Sequence, residues 1–260
     1  MDGDKALEQN GPYADRLENY FRNVSGGIEG WLQARIHQSL VAVQELHDLH
    51  RVTGGTLEIG VHHGKFFLAL GFLRRPDEPW VAVDLFEEQA ANIDRSGRGD
   101  LERFTSNLMM VHGECRPPVI LRGDSTVLRR SVYRSALEGS DVRLFSVDGG
   151  HTAEHAMNDL RIASELVCNG AVVFLDDFFN EFWPGVNEGF YRYMSFANTN
   201  LCPFAFSANK LFLTTLAYQR PYFEYFCNRF KPSKTLRAKP VRIFGFDVLS
   251  LRYGRDSAPE

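Results

Sequence analysis

The stretch Leu57-Glu58-Ile59-Gly60-Val61-His62-His63-Gly64-Lys65-Phe66 decides how this chain folds. An apolar run, Thr56–Ile59, enters it, and an amphipathic segment, Lys65–Leu73, leaves it. Between them stand two glycines four residues apart, with an acid two residues before the first. Glycine lets a ligand approach the backbone closely, and a helix that starts at such a turn presents free N–H groups. The Gly60–Gly64 gap is one residue short of a phosphate-binding P-loop, and Phe66 stands where that loop needs Ser or Thr. GxGxxG is also missing. A ligand-binding turn and a plain strand-to-helix turn both remain open from these residues alone.

Outward from this turn the pattern repeats. Short apolar runs, Trp80–Asp84, Val119–Leu121, Val142–Asp148 and Ala171–Leu175, alternate with helical stretches, Leu101–His112, Thr126–Leu137 and Thr152–Cys168. Such alternation builds a parallel sheet covered by helices on both faces. Pro203–Ser207 and Lys210–Thr214 lie close enough to pair as an antiparallel hairpin. The expected fold is therefore α/β and Rossmann-like, with a mixed seven-stranded sheet of five parallel strands plus a C-terminal antiparallel hairpin. Helical spacing over Ala14–Asn23 and Ile28–Val52 predicts an N-terminal helical cap, residues 1–53, before a core at 54–215. Residues 216–260, with an aromatic segment and a basic run at Lys231–Arg242, form an appendage suited to a lid or an oligomer contact.

Composition narrows the class. The 260 residues are 44% apolar and 24% charged, ordinary for a globular chain. Against 33 acids stand 29 Lys+Arg, giving a net charge of −4 and no general attraction to nucleic acid. No apolar run reaches the ~18–20 residues of a membrane helix, and Met1–Asp15 has no signal-peptide profile. The four cysteines form no CxxC pair. The expectation is a reduced, cytoplasmic protein without a membrane or nucleic-acid partner.

In open α/β sheets ligands sit at the carboxyl ends of strands, and the informative residues fall there. Asp84 ends the second strand, where an acid suits ribose hydroxyls or simply caps the next segment. Gly123-Asp124-Ser125 comes after the third strand, as an adenine contact or a helix cap. The fourth run closes in Asp148-Gly149-Gly150-His151 and the fifth in Asp176-Asp177, which puts three carboxylates at one rim. Two like charges 4 Å apart repel by about 4 kcal/mol at an effective dielectric near 20, so some are protonated or a cation sits among them. An all-oxygen set suits Mg²⁺. His151, with an ordinary pKa near 6.5, is a candidate general base. His151 to His155 also spells the HxxEH of inverted zinc peptidases. Aromatic residues from Phe178 to Phe196 crowd the chain beyond the rim, for a substrate wall or for packing. Asn209-Lys210 reads as the end of the hairpin turn.

The order of these motifs resembles the class I S-adenosylmethionine-dependent methyltransferases. LEIGVHHGKF resembles their first motif, VAVDLF the acid-ended second strand, RGDST the adenine-side turn, and FSVDGGH and NGAVVFLDDF the fourth and fifth strand ends. The likeness spans roughly Gly54 to Thr215 and is nearest to small-molecule O-methyltransferases of the macrocin type. It implies S-adenosylmethionine held by Glu58, Gly60, Gly64, Asp84, Asp124, Ser125 and Asp148. It also implies Mg²⁺ or another divalent cation on Asp148, Asp176 and Asp177, and catalysis by His151 with Asp148. The implied partner is a small-molecule hydroxyl substrate, in a chain that forms a possible homodimer. Gly150 replaces the second Asp of the usual DGD, and His151 takes the place of a lysine base in catechol-type members. The segment Gln89–Gly97 is long for a strand–helix turn and suits a mobile lid.

Overall fold

The computed structural model describes residues 12–196 and 199–254. Residues 1–11 of the expected cap and 255–260 of the expected appendage lie outside the described residues. Five parallel strands, β1 (Gly55–Ile59), β2 (Trp80–Asp84), β3 (Val119–Arg122), β4 (Val142–Val147) and β5 (Val167–Leu175), form one side of a single sheet. The hairpin β6 (Leu201–Ser207) and β7 (Lys210–Thr215) adds β7 antiparallel to β5. The order is β3-β2-β1-β4-β5-β7-β6-β9-β8, nine strands among the described residues rather than the expected seven.

The two extra strands, β8 (Leu236–Ile243) and β9 (Phe246–Tyr253), come from the terminal basic run and the apolar stretch after it. β9 lies parallel to β6, and β8 closes the edge against β9. Arg237, Lys239 and Arg242 interrupt the apolar residues of that run, so its alternation does not stand out as a strand. An edge strand carries just such charges, and it tolerates Pro240.

Apolar side chains cover both faces of the sheet. On β5, Val172 and Phe174 pack toward α2 (Ile36–Leu49), α3 (Lys65–Gly71) and α8 (Leu216–Arg229). Val173 and Leu175 face α6 (Ala153–Leu166) and α7 (Pro184–Met194). Burial on both faces explains why this strand reads as a continuous apolar run. The remaining helices are α1 (Pro12–Asn19), α4 (Leu101–His112) and α5 (Arg130–Ala136). At the amino end of β4, fully buried Arg143 donates to Glu78, Gln44 and the Leu73 carbonyl, which ties α2 to the sheet far from the carboxyl edge.

Two helices are shorter than their patterns predict. The Ile28–Val52 stretch becomes helical only at Ile36, because Gly30 takes φ +134° and its carbonyl accepts a hydrogen bond from Lys65 Nζ at 2.8 Å. The loop so formed carries Trp31 toward the carboxyl edge. The Thr126–Leu137 stretch starts at Arg130, because the Asp124 side chain turns the chain first by accepting from Thr126 N. No helix among the described residues is long and apolar enough to cross a membrane.

Candidate active site

β1 ends at Ile59, and Gly60 turns the chain with φ +89°. A Cβ there would stand 1.7 Å from the Asp148 carbonyl oxygen. Only glycine lets the ends of β1 and β4 meet, which they do through Asp148 N donating to Ile59 O at 2.8 Å. Along this edge runs one cavity of about 720 Å³, in the ~300–1,000 Å³ range of small-molecule sites. It reaches from Asp84, Asp124 and Ser125, past Glu58 and Gly60, to Asp148 and Asp176. Gly64 is not among its walls; it takes φ +90° at the start of α3, and a Cβ there would lie 2.8 Å from the Phe104 ring.

In the first half of the cavity the acids are held by nearby donors. Asp84 accepts from His62 N at 2.7 Å and from Phe86 N at 2.6 Å, while burial pushes its carboxyl up. Asp124 Oδ1 accepts from the amide and hydroxyl of Thr126, both at 2.7 Å. Ser125 is buried, its carbonyl accepting from Asn158. Glu58 lies on the floor, accepting from Ser146 Oγ at 2.9 Å, and burial pushes it up to about 8. Its Oε2 and both ring nitrogens of His62 are buried without a partner. These atoms are polar groups with capacity for a ligand.

In the second half, Asp148, Asp176 and Asp177 do come together, and two side chains supply the positive charge. Lys210 opens β7 with its ammonium 2.5 Å from Asp176 Oδ2 and 3.5 Å from Asp148 Oδ2. The ammonium also lies 4.4 Å over the Phe66 ring, and the residue is 1% exposed. Burial would lower the lysine, but Asp176 and Asp148 outweigh it and hold the ammonium charged. Burial and the Asp148 charge push Asp176 well up, against the pull of Lys210. Asp177 accepts from Asn180 and Asn209, both at 2.6 Å, and from His151.

His151 sits between two carboxylates. Its Nδ1 is 2.9 Å from Asp94 Oδ2 and its Nε2 is 2.9 Å from Asp177 Oδ2, so each nitrogen needs a hydrogen. Burial opposes the charge, yet the bonds to Asp177 and Asp94 prevail and lift the imidazole to about 10. An imidazolium with both N–H groups engaged has no lone pair to accept a proton, so the expected base role is closed to it in this arrangement. Trp183 stacks on its ring at 4.3 Å. Asp94 belongs to the Gln89–Gly97 segment and also accepts from the His151 amide, which fastens that segment over the cavity.

Two groups of side chains could approach a metal. Asp148, His151 and Asp177 present ligand atoms within 4.8 Å of one another, as do Glu29, His62 and His63. In the second group the two imidazoles stack at 4.0 Å and 15°. His151 and His155 share no such group: His155 is turned to Thr152 and Asp124, which removes the zinc-peptidase reading.

The cavity mouth is apolar. Trp31 is 79% exposed, Phe182 77% and Ile93 68%, and all three line it with Trp183. Reasoning from sequence missed Lys210, Asp94 and Trp31 as site residues. Lys210 carried a usable signal, a lone cation opening the otherwise uncharged strand Lys210–Thr215; Asp94 carried none.

Residues 57–178 match the family model described as a methyltransferase domain. The matched residues form a methyltransferase domain set in a sheet of order β3-β2-β1-β4-β5-β7-β6. The chain is an S-adenosylmethionine-dependent methyltransferase. Among solved structures, the O-methyltransferase NovP is similar with a TM-score of 0.60 at 12% identity, over 78% of this chain and 98% of that one. An O-methyltransferase from Bacillus cereus in complex with SAH gives 0.49 at 12% identity, over 78% and 90% of the two chains. A putative O-methyltransferase from Klebsiella pneumoniae gives 0.49 at 17%, over 81% and 92%. The likeness to NovP speaks for the fold. No curated protein sequence matches the chain significantly.

Proposed function

We propose that the enzyme methylates a hydroxyl oxygen of a small molecule that carries a planar or apolar portion. The observation that carries this reading is the continuity of one cavity, from Asp84 and Asp124 at one end to Asp148 and His151 at the other. S-adenosylmethionine supplies an electrophilic methyl on a sulfonium. Glu58, Gly60, Asp84, Asp124 and Ser125 would hold it, and the unpartnered atoms of Glu58 and His62 are suited to its polar groups. Trp31, Ile93, Phe182 and Trp183 would cover the acceptor and exclude water. Bringing donor and acceptor into line is worth several kcal/mol, roughly 7–11 in well-oriented systems.

Asp148 is the proton acceptor in this reading. Its carboxylate lines the cavity and stands beside both Lys210 and the Asp177–His151 pair. Asp148 would take the hydroxyl proton as the acceptor oxygen gains the methyl group, which S-adenosylmethionine would supply from its sulfonium, leaving as the neutral thioether. His151 holds Asp177 and the Gln89–Gly97 segment in place. The test is methyl transfer from labelled S-adenosylmethionine to a panel of phenols, sugars and aliphatic alcohols. Phenolic acceptors should be preferred, and Asp148→Asn should lose turnover while keeping cofactor affinity. Preference for plain sugars, or full turnover in Asp148→Asn, would overturn the reading.

A further inference from the structure

We propose that Lys210 is the resident cation of this site and that the enzyme works without a divalent metal. The inference deepens the methyl-transfer reading and rests on it. Three clustered carboxylates need positive charge close by. Here the Lys210 ammonium lies between two of them, 2.5 Å from Asp176 and 3.5 Å from Asp148. The third, Asp177, is saturated by Asn180, Asn209 and His151.

The placement comes from the fold. β7 runs antiparallel beside β5, so its first residue lies level with the last residues of β5, with Leu211 opposite Leu175. The Phe66 ring below the ammonium and the buried strand around it keep the lysine 1% exposed at the cavity wall. A divalent ion would need Asp176 to give up that lysine, or His151 to shed a hydrogen and release Asp177. The alternative Asp148–His151–Asp177 group is therefore already closed by hydrogen bonds. The ammonium sets its positive charge at the same rim a metal would, between the Asp148 and Asp176 oxygens.

The test uses Mn²⁺ as a paramagnetic probe, with wild-type enzyme, Lys210→Met and Lys210→Arg. Free Mn²⁺ is measured by electron paramagnetic resonance, and S-adenosylhomocysteine affinity is measured beside it. Wild type and Lys210→Arg should take up no stoichiometric Mn²⁺. Lys210→Met should gain one Mn²⁺ per chain and melt higher in its presence. One Mn²⁺ per wild-type chain, lost in Asp177→Asn, would overturn the proposal, as would a folded Lys210→Met that takes up none. The wild-type arm stands even if Lys210→Met fails to fold. Absence of S-adenosylhomocysteine binding would instead sink the methyl-transfer reading and leave the Mn²⁺ result intact.

Discussion

The two halves of the carboxyl edge hold their acids by different means. Behind β2 and β3, Asp84 is fixed by two backbone amides and Asp124 by the amide and hydroxyl of Thr126, so each acid has a donor two residues on. Behind β4 and β5, the acids are fixed by side chains from distant segments. His151 reaches Asp94 across 57 residues, and Asn209 reaches Asp177 across 32. Amide and hydroxyl donors cannot change charge, so their hold on these two acids does not depend on pH. Charged side chains can be exchanged, titrated or removed, so the second half is where chemistry is set.

The largest way to break this contrast is at the joint between the halves. Gly60→Ala puts a methyl into the Asp148 carbonyl and should part β1 from β4, costing more than ~4 kcal/mol. Thermal unfolding and loss of S-adenosylhomocysteine binding would report it. Next is Lys210→Met, which leaves buried carboxylates without their cation. Removing one partner of a buried pair costs about 3–5 kcal/mol, and the melting temperature should fall accordingly.

Asp94→Asn sharpens the comparison by loosening one side of His151. With its folded value raised to about 10, the imidazolium contributes stability that is complete below its unfolded value near 6.5 and disappears as pH rises through about 10. Asp94 is held below the usual carboxylate range, burial being outweighed by the His151 bonds, so its share is present above ~3.9 and fades only at lower pH. Histidine NMR titration should show the His151 transition moving down in Asp94→Asn, with less stability lost on the alkaline side. Smallest is Phe182→Ala at the exposed mouth. It should weaken acceptor binding by about 1–2 kcal/mol and leave cofactor affinity unchanged, as read by separate titrations.

The same contrast explains what was legible in the sequence. The parallel core announces itself because β1, β2, β4 and β5 are buried on both faces and read as apolar runs between helices. Asp84, Asp124, Asp148, Asp176 and Asp177 are legible because each lies at or just after a strand end. β8 and β9 were not, because an edge strand laced with Arg237, Lys239 and Pro240 has the composition of a loop. Asp94 was hidden for another reason. Its role comes from a contact 57 residues along the chain, and local pattern carries no trace of so distant a partner.

The most direct measurement is calorimetric titration of the wild-type enzyme with S-adenosylhomocysteine, in the presence and absence of EDTA. One site per chain is expected, with the same affinity and enthalpy in both conditions. No saturable binding, or binding that vanishes when divalent ions are chelated, would contradict a cofactor cleft whose cation is Lys210.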